Sequence, residues 1–288
     1  MAQETIKSLL PKFIDHLNAL GRSPATVLAY KADLQQMVDF CQQKQKIHPE
    51  AIGQEIIEAF RDSLLAEKYT PKTVSRKLNA VKTFFRFLLA ENFVTKDPSQ
   101  AVAHPKIEIS LPRYLSQMEY RALRDVIRGE PRIAAIVELI LQTGIRISEV
   151  ASLKLTNINS ENIIIEAYAT QAQRTIPLNT RAKEAIDSYV NKERLKSSSP
   201  YLFISKNNKP LAVRNIRAAV DRYLQKAGIP DYSVNDLRTT FIVNNIRAGV
   251  DLVLLSQVAG HKRLSTTERY LELAEIKESG KKQVLEEL

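Results

Sequence analysis

Two helix starts written in nearly the same words constrain this chain more than anything else in it. "SPATVLAYKADLQQMVDF" begins at Ser23 and "TPKTVSRKLNAVKTFFRF" at Thr70. In each, a hydroxyl residue suited to capping a first turn precedes a proline, whose fixed φ and missing N–H fit the first helical position. Apolar residues then recur at helical spacing up to a shared final phenylalanine, Phe40 and Phe87. The likeness fits a weak duplication of a helix pair, and equally two helices obeying the same start chemistry. Ile6, Leu9, Leu10, Phe13, Ile14 and Leu17 mark a helix ahead of this pair, and Ile56, Ile57, Phe60, Leu64 and Leu65 another between its members. With only 8 glycines in 288 residues, these periodicities favour a mainly helical fold.

The pattern breaks at "KDPSQAVAHPKIEISLPRYLS", which holds three prolines and little periodicity. We therefore expect a four-helix domain over residues 1–95, a linker over 96–113 and a second domain over 114–288. Ser116 and Glu119 have the spacing of a capping box, so a helix should start there. Further helices are expected near 117–128, 132–143, 147–153, 180–195, 213–227, 236–248 and 252–258. Between them "ENIIIEAYATQAQRTIPL" reads as a hairpin, with strands Ile163–Ala167 and Arg174–Leu178. The expected class is thus mainly α with a small β-hairpin in the C-terminal domain. A helix should follow Tyr270, with a break at Gly280 and a short amphipathic end.

The net charge is +10, split as +3 over residues 1–112 and +7 over 113–288, so no basic tail accounts for it. For a basic chain the first polyanion to consider is nucleic acid. The fourth helix carries Arg76, Lys77, Asn79, Lys82 and Arg86 on a face expected to be exposed. Such a face can enter a major groove with phosphates on both sides, or can simply be a solvated surface. Cys41, the single cysteine, excludes an internal disulfide and reads as a small buried hydrophobe. His16, His48, His104 and His261 lie far apart with no cysteine partners, so no metal-site spacing exists, and without a glycine-rich phosphate loop nothing suggests nucleotide hydrolysis. There is no signal-peptide core and no long apolar run, and the expected location is the cytoplasm, away from any membrane.

Three separated stretches remain: "LILQTGIRISEVASLKL" with Arg146 and Glu149, the hairpin ending "RTIPL", and "VNDLRTTFIVNNIRAGVDLVLLSQVAGHKRLSTTERYLEL" with Arg238, His261 and Tyr270. Their order and wording resemble the tyrosine recombinases, or phage-integrase family, whose members read T-G-x-R-x-S-E, a hairpin, H-x-L-R, L-G-H and T-x-x-Y. The resemblance spans the second half, and the four helices before it resemble the family's core-binding domain. It implies a site-specific recombinase that cuts and rejoins duplex DNA through a 3′-phosphotyrosyl bond, needing neither metal nor ATP. It also implies a C-shaped clamp around DNA, inverted half-sites, a tetramer on DNA, and trans packing by the segment after Tyr270. A chain that opens on the core-binding domain looks like the Xer type or a transposon resolvase.

The residues support this chemistry in their own right. Two guanidinium forks, Arg146 and Arg238, can grip a phosphate bidentately and stabilise the charge that grows on it. His261 can add a hydrogen bond, and Tyr270 can attack phosphorus. Taken singly, each has an ordinary alternative: helix capping for Arg146, an ion pair with Asp236 or Glu149 for Arg238, a turn hydrogen bond for His261. Glu149 matches a family residue that supports the arginine and histidine. Two positions depart from the pattern. Ala169 stands where the family's hairpin lysine, its general acid, is usual, and Asn235 stands where histidine is usual. Neither can exchange a proton, which leaves a cleavage-impaired DNA-binding relative as the alternative reading.

Overall fold

The structure, a computed structural model, describes residues 4–108, 111–168, 171–194 and 197–275. The chain forms two compact units, residues 1–109 and 110–288. No helix among the described residues is long and apolar enough to cross a membrane.

The first unit holds α1 (Ile6–Ala19), α2 (Pro24–Gln43), α3 (Gln54–Ala66) and α4 (Pro71–Ala90). The twin starts work as their chemistry dictates. Ser23 Oγ accepts from the N–H of Thr26 at 3.2 Å, and Thr70 Oγ1 from that of Thr73 at 3.3 Å. α4 is the inner helix: Val74, Leu78, Val81, Phe85 and Leu88 are fully or almost fully buried on it. Phe13 of α1 meets Phe84 edge-on at 5.3 Å, and Cys41 is buried in the same core. The stretch after α4 is pinned to this unit. Val102 and Ser99 are buried, Lys82 Nζ donates to the Val102 carbonyl at 2.8 Å, and Ser75 Oγ hydrogen-bonds His104 at 3.0 Å.

In the second unit, α5 (Gln117–Ile127), α6 (Pro131–Thr143) and α7 (Ile147–Ser152) precede a hairpin of β1 (Asn162–Ile165) and β2 (Arg174–Pro177). Then come α8 (Thr180–Lys192), α9 (Val213–Lys226), α10 (Val234–Arg247), α11 (Leu252–Ala259), α12 (Ser265–Glu268) and α13 (Leu271–Glu275). α6 is apolar on nearly every side and forms the centre of the core, as a helix without a polar face must. α8 and α10 pack against it. The hairpin is antiparallel, with Asn162 opposite Pro177 and Ile165 opposite Arg174; each strand is one residue shorter than expected, and β1 starts one residue earlier, at Asn162.

Helix ends differ from expectation where side chains redirect the backbone. α8 stops at Lys192, because Arg194 turns back and gives its guanidinium to the carbonyls of Ser199, Tyr201 and Leu202. α10 starts at Val234: Asp236, expected to open the helix, instead accepts the N–H of Ser233 at 2.8 Å from within its first turn. α12, between His261 and Tyr270, has no counterpart in the sequence reading. Gly280 and the amphipathic end lie outside the described residues.

Candidate active site

The site is assembled where helices end. α6 closes on Gly144, whose φ of 62° is left-handed, and a Cβ there would lie 2.3 Å from the Phe241 ring. That turn makes Arg146 the residue that precedes α7, and its own N–H donates to Glu149 Oε2 at 2.8 Å. α11 closes on Gly260, again left-handed, at φ 65°.

The last carbonyls of α11 have no intrahelical partner, and they sit at the negative end of the helix dipole. Three arginines from three different elements fill these acceptors. Arg174, at the start of β2, donates Nε–H to the Val258 carbonyl at 2.9 Å. Arg238, on α10, donates Nη2–H to that of Ala259 at 2.7 Å, and Nη1–H to that of Gly144. Arg146 donates Nη2–H to that of Gly260. Glu149 lies between two of them, accepting from Arg146 Nη1 at 3.1 Å and from Arg174 at 2.9 and 2.7 Å. Arg238 therefore makes neither of the ion pairs open to it in sequence.

His261 follows Gly260 directly. Its Nδ1 shares a hydrogen bond with the buried Thr267 hydroxyl at 2.8 Å, and its ring lies parallel to that of Tyr270 with centroids 6.2 Å apart. Tyr270, half-buried, packs on Ile242, Leu255 and Ala259. Arg146, Arg238, His261 and Tyr270 thus come together, with Glu149 under the arginines. Glu149 supports Arg146 and Arg174, not His261.

Three guanidinium groups against one carboxylate leave the cluster strongly positive, and this field, with burial, shifts the ionisable groups within it. Burial, with Arg146 next, lowers Arg238 to about 10. Burial, then Arg238, Arg146 and Arg174, lowers His261 to about 4, so the imidazole is uncharged at neutral pH. Burial alone would raise the Glu149 carboxyl, but the hydrogen bonds from Arg174 and the Arg146 N–H carry it below the ordinary range. An anion with several acceptor oxygens is the ligand such a cluster suits. Among the described residues no group of His, Cys, Asp and Glu is arranged to hold a metal ion.

Asn235 is exposed on the first turn of α10. Ala169 lies outside the described residues. Two site members escaped the sequence reading. Arg174 left one signal, as the hairpin's sole cation; Gln171, whose Oε1 accepts from Arg146 at 2.9 Å, left none.

The basic face of α4 needs a correction. Lys77 is 6% exposed, and its Nζ donates to Asp33 at 2.9 Å and to Gln36 at 2.6 Å on α2. Arg76 also pairs with Asp33. Lys82 is half-buried by its bond to Val102. The one-signed look of α4 arose because Asp33, the counter-charge, sits on a different helix. Asn79 and Arg86 are exposed, as is much of Arg76.

Residues 113–276 match the phage integrase family, and residues 10–92 match the phage integrase N-terminal SAM-like domain. The chain is 31% identical to the tyrosine recombinase XerC of Lactobacillus delbrueckii subsp. bulgaricus, over 91% of this chain and 93% of that protein. It is 28% identical to the tyrosine recombinase XerC of Roseiflexus castenholzii, over 94% and 89%. Among solved structures, a lambda integrase dimer bound to a COC′ core site superposes with a TM-score of 0.77 at 17% identity, over 98% of this chain and 81% of that one.

Proposed function

Because the chain belongs to the phage integrase family, as a tyrosine recombinase, we infer that it is a site-specific recombinase of the Xer type that cuts and rejoins duplex DNA. The observation that carries the residue roles is the convergence of Arg146, Arg238, His261 and Tyr270 at the end of α11. Arg146 and Arg238 hold the non-bridging oxygens of the scissile phosphate and stabilise the charge of the transition state. The Tyr270 oxygen forms a bond to phosphorus and its proton passes to solvent. The bond to the 5′-oxygen breaks, and that oxygen keeps the electron pair and takes a proton from water. The product is a 3′-phosphotyrosyl linkage, which conserves the bond energy for rejoining. Uncharged His261 hydrogen-bonds the phosphate, while Glu149 and Arg174 hold the guanidinium groups in place.

On DNA, Arg76, Asn79 and Arg86 of α4 contact phosphates or base edges, and Lys77 is withdrawn from that role. The domains are a core-binding domain over residues 1–95 and a catalytic domain over 114–288. Four protomers assemble on two sites with inverted half-sites, and the enzyme works in the cytoplasm. The test is a library of duplexes with randomised sequence and a nick near the candidate cleavage point. We expect wild-type protein to form a detergent-resistant protein–DNA adduct with a subset of them, and Tyr270→Phe to form none. Tight binding to a selected site without any adduct would instead establish a non-cleaving architectural protein.

A further inference from the structure

The hairpin contributes more than Arg174. Gln171 and Tyr168 exchange both backbone hydrogen bonds, at 2.9 and 3.1 Å, so the backbone of Gln171 is held in place. Its side chain meets the guanidinium of Arg146. A guanidinium has only donors, so the amide atom facing Arg146 is the oxygen, which fixes the orientation of the carboxamide. The Nε2 of Gln171 is left with two N–H groups and no hydrogen-bond acceptor among the described residues. Arg146 is in a similar state. Of its five N–H groups, two go to Glu149 and Gln171 and one to Gly260, leaving two. Arg174, with both Nη groups on Glu149 and its Nε–H on Val258, is 11% exposed in its side chain, against 29% for Arg146. Arg174 also keeps two N–H groups, but its side chain is the more buried, so Arg146 and Gln171, with Arg238, are the donors better placed to meet a ligand.

We propose that Gln171 is a further substrate-contacting residue, donating from Nε2 to the scissile phosphate that Arg146 grips. This rests on the recombinase reading and extends it to a residue of the hairpin. A carboxamide cannot release a proton at neutral pH, so Gln171 acts as a fixed dipole that stabilises charge on a phosphate oxygen. The Arg146 contact orients it before DNA arrives.

A purely structural Gln171 would only tether Arg146, and two variants separate the roles. Gln171→Ala removes both the tether and the donor. Gln171→Glu keeps an acceptor for Arg146, with added charge, and removes the donor. On a nicked duplex selected from the library, we expect the rate of adduct formation to fall about tenfold or more in Gln171→Ala. It should fall at least as far in Gln171→Glu, while affinity for the same site in Gln171→Ala stays within about threefold of wild type. A wild-type rate in Gln171→Ala would overturn the proposal, as would recovery of the wild-type rate in Gln171→Glu. A wild-type protein that forms no adduct would overturn the recombinase reading itself, and this proposal with it.

Discussion

At Gly260 the backbone is left-handed, and an added methyl group would lie 2.8 Å from Cζ of Arg174 and 3.0 Å from Nη1 of Arg146. Alanine there pays about 1 kcal/mol for the backbone alone, and must also push two guanidinium groups off the carbonyls they occupy. We expect Gly260→Ala to fold with a melting temperature a few degrees lower and to form the adduct more than tenfold more slowly. A wild-type rate would mean that this turn does not set the arginines. His261 makes a second prediction. Its folded-state value is about 4 against an ordinary 6.5, so the folded protein resists protonation that the unfolded chain accepts. Stability from this group is therefore fully present above about pH 6.5 and is lost as pH falls from there towards 4. Titration of the His261 ring by NMR should show no step near pH 6.5. A step there would place the histidine outside the field of the arginines.

Between elements, α11 acts as an acceptor platform: β2, α10 and the turn before α7 each deliver one arginine to it. The element-level reading of the sequence succeeded where the chemistry is local. Ser23, Thr70 and the Ser116–Glu119 pair act within four residues, and all three cap their helices. It failed where a distant acceptor decides the matter. Arg194 ends α8 early for carbonyls beyond the helix, and Lys77 looked like a surface cation because its partner Asp33 is 44 positions away. That contact gives a paired prediction. Lys77→Met should cost roughly 3 kcal/mol, since it leaves Asp33 buried with one partner fewer, and should leave the salt dependence of DNA affinity unchanged. Arg86→Ala should leave stability unchanged and lower the salt slope by about 1. Thermal melts and salt titrations of binding read both. A reduced salt slope in Lys77→Met would return that lysine to the DNA face.

Across the molecule, the order of the motifs pointed to residues that no single motif defines and that the fold brings together at the end of α11. Arg146, Arg238, His261 and Tyr270 were legible because each sits in a phrase with its own wording. Arg174 and Gln171 were not, because only contacts across 25 to 84 positions, to Glu149, Val258 and Arg146, place them beside the others. The same contacts bear on the two departures from the family pattern. Asn235, Ala169, Gln171 and Arg174 offer no proton that exchanges near neutrality, so under the proposed mechanism cleavage should proceed without a titrating step from these residues near neutral pH. What the whole arrangement claims is that Tyr270 forms the bond to DNA. Proteolysis of the trapped adduct, followed by mass spectrometry of the nucleotide-bearing peptide, tests it directly. We predict a single linked peptide with the nucleotide on Tyr270. A nucleotide on any other residue would contradict the account.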